Sequence, residues 1–261
     1  MVRVVPSLTV VVPCYNEAER LDETPLLTFL DRCAGASLLF VDDGSTDATA
    51  ARLAAVAARL PARIDVLSLS PNGGKAEAVR QGMLQAVGRG AGTVGYLDAD
   101  LSTPPDELLR LQAAFERPDV HVEVVLGARV ALLGTDIERS AVRHYLGRIF
   151  ASAASLILQA RVYDTQCGAK LFRATPALTA ALATPFISRW AFDVELLGRL
   201  LTGGPTVPAL PLSAIVEVPL ATWHDIRGSK LGPLAMARTL GELGRIALDL
   251  SARRRHGSRG V

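Results

Sequence analysis

Two carboxylates follow the apolar run at residues 94–97, where the segment YLDAD ends in Asp98 and Asp100. Side chains two residues apart on an extended chain point to the same side, so these carboxylates repel each other unless a cation lies between them. Such oxygen ligands suit Mg²⁺ or Mn²⁺, which commonly share their coordination with substrate phosphates. The pair predicts either a divalent metal on a nucleotide diphosphate or, alternatively, a turn capped by an Asp.

Polar or glycine-rich segments also follow four other apolar runs. These segments are PCYNE at 13–17, DDGS at 42–45, NGGK at 72–75 and GAR at 127–129. Capping of the following helix by Ser45, Thr46 or Asp47 would leave the carboxylate of Asp42 unexplained, which favours a ligand there. Lys75 follows two glycines and opens a predicted helix, whose N-terminus favours anions. The alternative for Lys75 is a solvated side chain.

The elements that must position these segments alternate in type along the chain. Runs typical of strands lie at 8–12, 38–41, 64–69, 93–97 and 122–126, and helix-like stretches lie at 48–59, 75–87 and 106–115. This alternation predicts an α/β fold with a mostly parallel sheet covered by helices on both faces. Ligands bind outside the carboxyl ends of strands in such sheets, so we expect the five segments to converge on one site.

The second half of the chain has a less regular pattern. Residues 139–160 predict a helix with an apolar stripe of Leu146, Ile149, Phe150, Ala153 and Ile157, with Arg139, Arg143 and Arg148 nearby. This helix either packs on the sheet or touches a bilayer interface with its basic residues toward lipid phosphates. Residues 207–220 predict strand and turn, and residues 231–250 predict a final helix. We expect one domain over residues 1–250 and a disordered basic tail at 251–261.

Composition and absent motifs argue against several classes of protein. The 261-residue chain has a net charge of only +2, which does not indicate nucleic-acid binding. It has neither a G-x-G-x-x-G after the first strand nor a P-loop, which argues against a nicotinamide dehydrogenase and a P-loop ATPase. Cys14, Cys33 and Cys167 fit neither a zinc site nor a disulfide framework, and no signal peptide or spanning run is evident. We therefore expect a cytoplasmic protein with reduced thiols.

Four segments in order resemble family 2 glycosyltransferases of the GT-A fold: VPCYNE at 12–17, VDDGSTD at 41–47, NGGK at 72–75 and DAD at 98–100. In the second half, DTQCGAKLF at 164–172 resembles the polyprenyl-phosphate sugar synthases. The segments RWAFDVELL at 189–197 and WHDIRGSK at 223–230 are most similar to the dolichyl-phosphate β-glucosyltransferase branch. Such enzymes move one sugar from a nucleotide sugar to a lipid phosphate at the cytoplasmic face of a membrane.

The resemblance implies a role for each matching residue. The nucleotide-sugar site would comprise Pro13, Tyr15, Glu17, Asp42, Asp43, Lys75, Asp98, Ala99 and Asp100. The metal, Mg²⁺ or Mn²⁺, would lie on Asp98 and Asp100. Residues that meet the acceptor or the phosphates would be Arg129, Arg139, Arg143, Gln166, Ser229 and Lys230. The catalytic group would comprise Asp193, Arg129 and Asp100.

The implied reaction is one in-line displacement with inversion at the anomeric carbon. A phosphate acceptor is already anionic at neutral pH, so Asp193 is an essential general base only if the acceptor is a hydroxyl. The main task is to stabilise the departing nucleoside diphosphate, with the metal, Lys75 and arginine. A structural alternative for Asp193 is that it caps the helix through 194–200. We expect Trp190 to pack in the core rather than to form a platform for the sugar, and Cys167 to be a small buried side chain.

The implied donor is UDP-glucose and the implied acceptor is a polyprenyl or dolichyl phosphate, reached by a peripheral protein at a membrane surface. Transfer from GDP-mannose stays open, as does a soluble or polysaccharide acceptor. The carboxylate pair with Lys75 argues against a non-catalytic sugar-nucleotide-binding module. A nucleotidyltransferase would carry a glycine- and arginine-rich loop after the first strand, and this chain has no such loop after residues 8–12, which argues against that class. The sequence AEA at 76–78, where more glycine is expected, departs from the family pattern.

Overall fold

The computed structural model describes residues 8–138, 141–224 and 233–257. Within these ranges the strands are β1 (Leu8–Cys14), β2 (Ala36–Asp42), β3 (Ile64–Ser68), β4 (Thr93–Leu97), β5 (Val124–Ala128), β6 (Asp136–Glu138), β7 (Ala169–Arg173), β8 (Ile215–Pro219) and β9 (Thr222–His224). The α-helices are α1 (Thr24–Arg32), α2 (Thr49–Arg59), α3 (Lys75–Gly88), α4 (Glu107–Ala113), α5 (Ala141–Leu158), α6 (Pro176–Leu182), α7 (Phe192–Thr202) and α8 (Pro233–Gly257). Short 3₁₀ turns cover Ala114–Glu116 and Leu212–Ala214.

Seven strands form one sheet in the order β3-β2-β1-β4-β7-β5-β8. Strand β7 runs antiparallel to its neighbours β4 and β5, and the other pairs are parallel. The chain builds β2 and β3 on one side of β1 and then crosses to β4 on the other side. The strand order therefore reverses at β1, which opens a crevice outside the carboxyl ends of β1 and β4. This mostly parallel sheet, with helices on both faces, confirms the predicted fold class.

Both faces of the sheet are buried, which explains why its strands are continuous apolar runs. In β1, Leu8, Val10 and Val12 belong to the core layer that holds α1, α2 and α4. Val11 belongs to the opposite layer, with α3 and helices α5 to α8. A Cβ on Gly82 of α3 would stand 2.5 Å from Val11 Cγ1, so the absent side chain lets α3 pack directly on the sheet.

The five predicted strands are all present, although the fifth begins at Val124 rather than at residue 122. The predicted helices at 48–59, 75–87 and 106–115 correspond to α2, α3 and α4. Strand β7 was not predicted, because Lys170 and Arg173 give its sequence AKLFR a polar pattern although four of its five residues are buried. The small sheet of β6 and β9 and the helices α1 and α6 were also not predicted.

The final helix differs from its predicted bounds. Helix α8 runs to Gly257 rather than to residue 250, so residues 251–257 of the expected disordered tail are helical. The remaining residues, 258–261, lie outside the described part of the chain. Within that part, no helix combines the length and the apolar character needed to cross a bilayer.

Helix α5 confirms the predicted helix over residues 141–158, and its packed side includes part of the predicted stripe. It packs against α7 and α8, with Ala151, Ala154 and Leu158 buried. Phe150, Ala153 and Ile157 of the predicted stripe are partly buried against the same core. Ile149, another member of the predicted apolar stripe, points outward and is 63% exposed. The inner side of α5 therefore packs on the core, whereas its outer side exposes an apolar residue that core packing does not explain.

Candidate active site

An ion pair lies at the crevice between β1 and β4. Lys75, the first residue of α3, places its Nζ 2.6 Å from Oδ1 of Asp98, which follows β4. Burial by itself lowers the pKa of Lys75, but the carboxylates of Asp98, Asp193 and Asp100 outweigh this effect and raise it. Lys75 is therefore a firmly protonated cation at neutral pH. The structure thus brings together two of the residues that the sequence analysis assigned to the donor site.

The carboxylates of Asp98 and Asp100 have the chemistry that a divalent cation requires. Oδ1 of Asp98 is screened from solvent and accepts no directional hydrogen bond from the described residues, although Lys75 lies beside it. Oδ1 of Asp100 accepts a 3.0 Å hydrogen bond from the Ser102 amide, which leaves its other oxygen for a ligand. The described residues contain no group of three or more acidic, His or Cys side chains close enough to hold a metal. The oxygen atoms of Asp98 and Asp100 are of the kind that a hard cation binds when it shares its coordination with phosphate and water.

The loop after β2 is held by its own carboxylates. Asp43, predicted in the nucleotide site, is buried and accepts hydrogen bonds from the amides of Gly73 at 2.8 Å and Gly74 at 2.7 Å and from Asn72 Nδ2 at 2.9 Å. Asp42 is also buried and accepts one 3.0 Å bond from the Ser45 amide. The hydrogen bonds of Asp43 therefore shape the loop that presents Lys75, whereas Asp42 keeps an oxygen for a ligand.

The first polar segment lies beside this loop. Asn16 accepts a 2.9 Å hydrogen bond from the Thr46 amide, which joins the loops after β1 and β2. Tyr15 is 39% exposed at the rim, and Pro13 is half-buried in β1. Glu17 uses Oε1 to bind Arg20 at 2.6 Å, while its Oε2 is screened from solvent and has no partner among the described residues. That oxygen is a candidate acceptor for a hydroxyl group of a ligand.

Asp193 belongs to a buried polar network between α7 and the sheet. Its Oδ1 lies 2.9 Å from Nζ of Lys170 on β7 and accepts a hydrogen bond from the hydroxyl of Tyr96 on β4. Lys170 also donates a 2.5 Å hydrogen bond to the carbonyl oxygen of Cys167. The helix cap that we considered for Asp193 is wrong, because Ser188 Oγ accepts the Ala191 amide at 2.7 Å and Asp193 lies within the first turn.

A second buried ion pair holds Arg129. Its Nε and Nη2 donate to the two carboxylate oxygens of Asp164 at 2.6 and 2.8 Å, and its guanidinium lies 5.3 Å from the ring centroid of Trp223. Burial by itself raises the pKa of Asp164, but Arg129 outweighs this effect and holds it well below its usual range. Within the described residues, Nη1 and the second N–H of Nη2 have no hydrogen-bond partner and remain for a ligand.

Arg189 was given no role in the sequence analysis, yet it lies beside Lys75. Gly74 has a φ of +88°, and a Cβ built there would stand 3.2 Å from Cδ of Arg189, so the side chain crosses the start of α3. Arg189 is exposed and makes no ion pair within the described residues. The neighbouring Trp190, for which we favoured core packing, is 46% exposed, so that expectation was wrong.

The remaining predicted site residues do not all fall within the described ranges. Ala99 is buried between Asp98 and Asp100. Gln166 is half-buried beside Asp164, and its backbone amide donates a 3.0 Å hydrogen bond to Oδ1 of Asp164. Arg139, Ser229 and Lys230 lie outside the described residues, as does the side chain of Arg143. Cys167 is buried, as expected, and its burial and the neighbouring Asp164 raise its pKa to about 11, which keeps it a thiol.

The residues that the sequence analysis missed share a detectable signal. Lys170 lies between the apolar residues Ala169 and Leu171 in the segment 164–172, and Asp164 opens the same segment; the structure buries both charged side chains. Buried charges are nearly always paired, so each predicts a partner of opposite charge. The identity of that partner does not follow from the segment itself.

Comparison with known proteins places these residues in a family. The model of glycosyl transferase family 2 matches residues 9–177. The dolichyl-phosphate beta-glucosyltransferase of Drosophila melanogaster is 34% identical over 90% of this chain and 73% of its own length. The polyprenol monophosphomannose synthase of Mycolicibacterium smegmatis is 27% identical over 81% of this chain and 78% of its own.

A solved structure shares the fold. The glucosyl-3-phosphoglycerate synthase of Mycobacterium tuberculosis in complex with uridine diphosphate superimposes with a TM-score of 0.67 at 21% identity, and covers 93% of this chain and 80% of that one. The fold has the sheet topology expected from the resemblance, and the matched segment contains the loops after β1, β2 and β4. The chain belongs to glycosyl transferase family 2.

Proposed function

We propose that this enzyme transfers glucose from UDP-glucose to a polyprenyl phosphate, with inversion at the anomeric carbon. The observation that carries the proposal is the Lys75–Asp98 ion pair beside Asp100 at the crevice where the strand order reverses. The curated relatives support the choice of substrates, because dolichyl-phosphate beta-glucosyltransferases from several organisms match most of this chain. The polyprenol monophosphomannose synthase supports the same class of acceptor.

The nucleoside would bind across the loops after β1 and β2. Tyr15, exposed at the rim, offers a ring to the base, and the unpartnered Oε2 of Glu17 offers an acceptor to a ribose hydroxyl. Asp42, with an oxygen to spare, would accept a second hydrogen bond. The diphosphate would then extend toward Lys75 at the start of α3, where the helix N-terminus also favours negative charge.

The diphosphate is the leaving group, and its charge must be neutralised as the bond to the sugar breaks. Lys75 would supply one positive charge, and Arg189, whose side chain passes close to Gly74, would supply a second. Asp98 and Asp100 would hold Mg²⁺ or Mn²⁺, which when bound acts as a Lewis acid on the diphosphate oxygens. A glucosyl-3-phosphoglycerate synthase of the same fold was solved with Mn²⁺ and UDP, which supports a divalent metal.

Asp193 would position other groups rather than act as a base. Its Oδ1 is shared by Lys170 and Tyr96, and the residue is 5% exposed. An acceptor phosphate is anionic and needs no proton removed, so a base is not required. Asp193 would instead neutralise Lys170 and tie α7 to the sheet behind Lys75. The proposed lipid-linked substrate also implies work at a membrane surface, by a peripheral protein on its cytoplasmic face.

The test is product formation from defined substrates. Purified protein is incubated with Mn²⁺ or Mg²⁺, a short polyprenyl phosphate and either UDP-glucose or GDP-mannose, and the sugar-lipid is identified by mass. We expect product from UDP-glucose and its loss in Asp100→Ala. If product forms only from GDP-mannose, the donor is GDP-mannose rather than UDP-glucose, and the proposed acceptor is unchanged. Nucleotide binding without any sugar-lipid would overturn the acceptor and favour a soluble one.

A further inference from the structure

Helix α5 carries an apolar outer face that the core does not use. Tyr145, Ile149 and Leu156 are 70%, 63% and 80% exposed. Their spacing of four and seven residues places them on one side of the helix, opposite the buried Ala154 and Leu158. Exposed apolar side chains that gather on one helix face in this way commonly mark an interaction surface.

Helix α8 extends this face. Arg254 of α8 donates a 2.8 Å hydrogen bond to the carbonyl oxygen of Ile157 on α5, and both helices pack on α7. Because α5 and α8 lie side by side over the same buried helix, their outward sides adjoin. On α8 that side presents Leu248, which is 73% exposed, together with Arg245.

The exposed charged residues of this surface are positively charged. Helix α5 contains no Asp or Glu. The acidic residues of α8 are only partly exposed and already engaged, since Glu242 accepts a hydrogen bond from Ser188 and Asp249 pairs with Arg253 at 2.7 Å. Exposed cations flank the apolar residues, namely Arg161 after α5 and Arg245 and Arg255 on α8.

We propose that this surface, formed by Tyr145, Ile149 and Leu156 of α5 with Leu248 and Arg245 of α8, docks on an anionic lipid bilayer. Apolar side chains that enter the headgroup region, flanked by cations that face lipid phosphates, define an interfacial helix. A second copy of this chain is a poorer occupant, because two such basic surfaces repel each other. The proposal rests on the proposed function, to which it adds the membrane-binding surface.

The docking surface is connected to the site. Arg148, next to Ile149, donates a 3.3 Å hydrogen bond to the carbonyl oxygen of Tyr163 and lies 4.3 Å from the centroid of its ring. Tyr163 precedes Asp164, which holds Arg129. A bilayer on α5 would therefore lie near residues 163–166, which include Gln166, a residue that the resemblance assigns to the acceptor site.

Vesicle co-sedimentation tests this directly. The full chain is mixed with vesicles of phosphatidylcholine with or without phosphatidylglycerol, at low and high salt. We expect binding to the anionic vesicles, weakened by salt, and a loss of at least about tenfold in the double variant Ile149→Ser with Leu156→Ser. The matched control is Leu212→Ser, because Leu212 is 57% exposed in the 3₁₀ turn before β8, outside both α5 and α8, and this variant should bind like the wild type.

Two further measurements separate the possible outcomes. Activity on a water-soluble short-chain polyprenyl phosphate should be unchanged in the double variant, and far-UV circular dichroism should show that it folds. The docking proposal is overturned if the wild type stays in the supernatant with every vesicle, if the double variant binds as well as the wild type, or if ultracentrifugation shows that the changes only dissociate a dimer. Vesicle binding without activity on any acceptor would support docking and overturn the proposed reaction.

Discussion

Gly168 lies directly against the carboxylate of Asp98. A Cβ built on Gly168 would stand 2.3 Å from Oδ2 of Asp98, and the Gly168 carbonyl oxygen accepts the Asp98 amide at 3.0 Å. The segment that leads into β7 therefore occupies the space behind the carboxylate. The position of Asp98 depends on this residue having no side chain.

Gly168→Ala should displace Asp98 and lower kcat/KM by about 100-fold, because a reacting group moved by about 1 Å commonly loses that much activity. The measurement is sugar-lipid formation together with urea denaturation. The variant should still fold, since overpacking of this kind costs about 1–3 kcal/mol.

The control for that substitution is Gly88→Ala at the end of α3, where a new Cβ would meet nothing within 4 Å. It should retain full activity and gain some helix stability, about 0.5–1 kcal/mol. Equal activities for the two variants would show that Asp98 does not depend on Gly168.

Chelation of divalent metal should abolish activity, and added Mn²⁺ or Mg²⁺ should restore it. In Asp100→Ala, more metal should be needed for half-maximal rate and the maximal rate should fall by about 100-fold or more, because one hard oxygen ligand is lost. Metal titrations of sugar-lipid formation give both values. Asp106→Ala, which removes an exposed carboxylate from the same loop, should behave like the wild type. Undiminished activity after exhaustive chelation would refute the metal site.

Lys170 and Asp193 should be thermodynamically coupled, because both are buried and 2.9 Å apart. Each single change, Lys170→Met or Asp193→Asn, should lower the free energy of unfolding by about 3–5 kcal/mol, since it leaves the other charge unpaired. The double variant should lose less than the sum, with a coupling of at least about 1 kcal/mol from urea denaturation. Additive losses would contradict the pairing.

Asp193→Asn also separates the two possible acceptors. With a phosphate acceptor its effect on kcat should be modest, whereas a hydroxyl acceptor would require the base and the loss would be severe. The measurement compares kcat for a short polyprenyl phosphate and the matching alcohol. A severe loss with the phosphate would make Asp193 a catalytic base after all.

The Arg129–Asp164 pair should make folding sensitive to acid. The pKa of Asp164 is lower in the folded protein than in the unfolded chain, so its ionised form stabilises the fold above about pH 4. That contribution should be lost as the pH falls from about 4 toward 2, because the unfolded state then binds a proton that the folded state does not. Asp164→Asn should lower stability at neutral pH and flatten the dependence in this window, as measured by urea denaturation at several pH values. An unchanged pH profile would argue against the pair.

Arg189→Ala should weaken UDP binding by about tenfold, because it removes a charge-assisted contact to the diphosphate. Calorimetric titration of UDP in the presence of Mn²⁺ measures the effect directly. Arg189→Lys should recover part of the affinity, while Arg32→Ala, a change to an exposed arginine on α1, should have no effect. Wild-type affinity in Arg189→Ala would remove Arg189 from the donor site.

Much of the fold follows from local patterns. The runs that become β1, β2 and β4 are apolar throughout because both sheet faces are covered, and the polar segments after them sit at the carboxyl ends by the topology of parallel sheets. The sequence therefore predicts the α/β class and the meeting of Lys75 with Asp98. It does not predict β7, whose charged Lys170 reads as a surface residue until its partner is known.

The chain by itself determined which residues carry the chemistry, because carboxylates, lysine and glycine at strand ends are local features. Only the tertiary structure decided which of these side chains are available to a ligand and which are engaged in hydrogen bonds or ion pairs within the protein. Asp43 turns inward to hold its loop, Arg129 is paired with Asp164 35 residues away, and Asp193 meets Tyr96 97 residues away. Such pairings depend on strand order and helix packing between distant segments, and these are properties of the folded chain that no single segment contains.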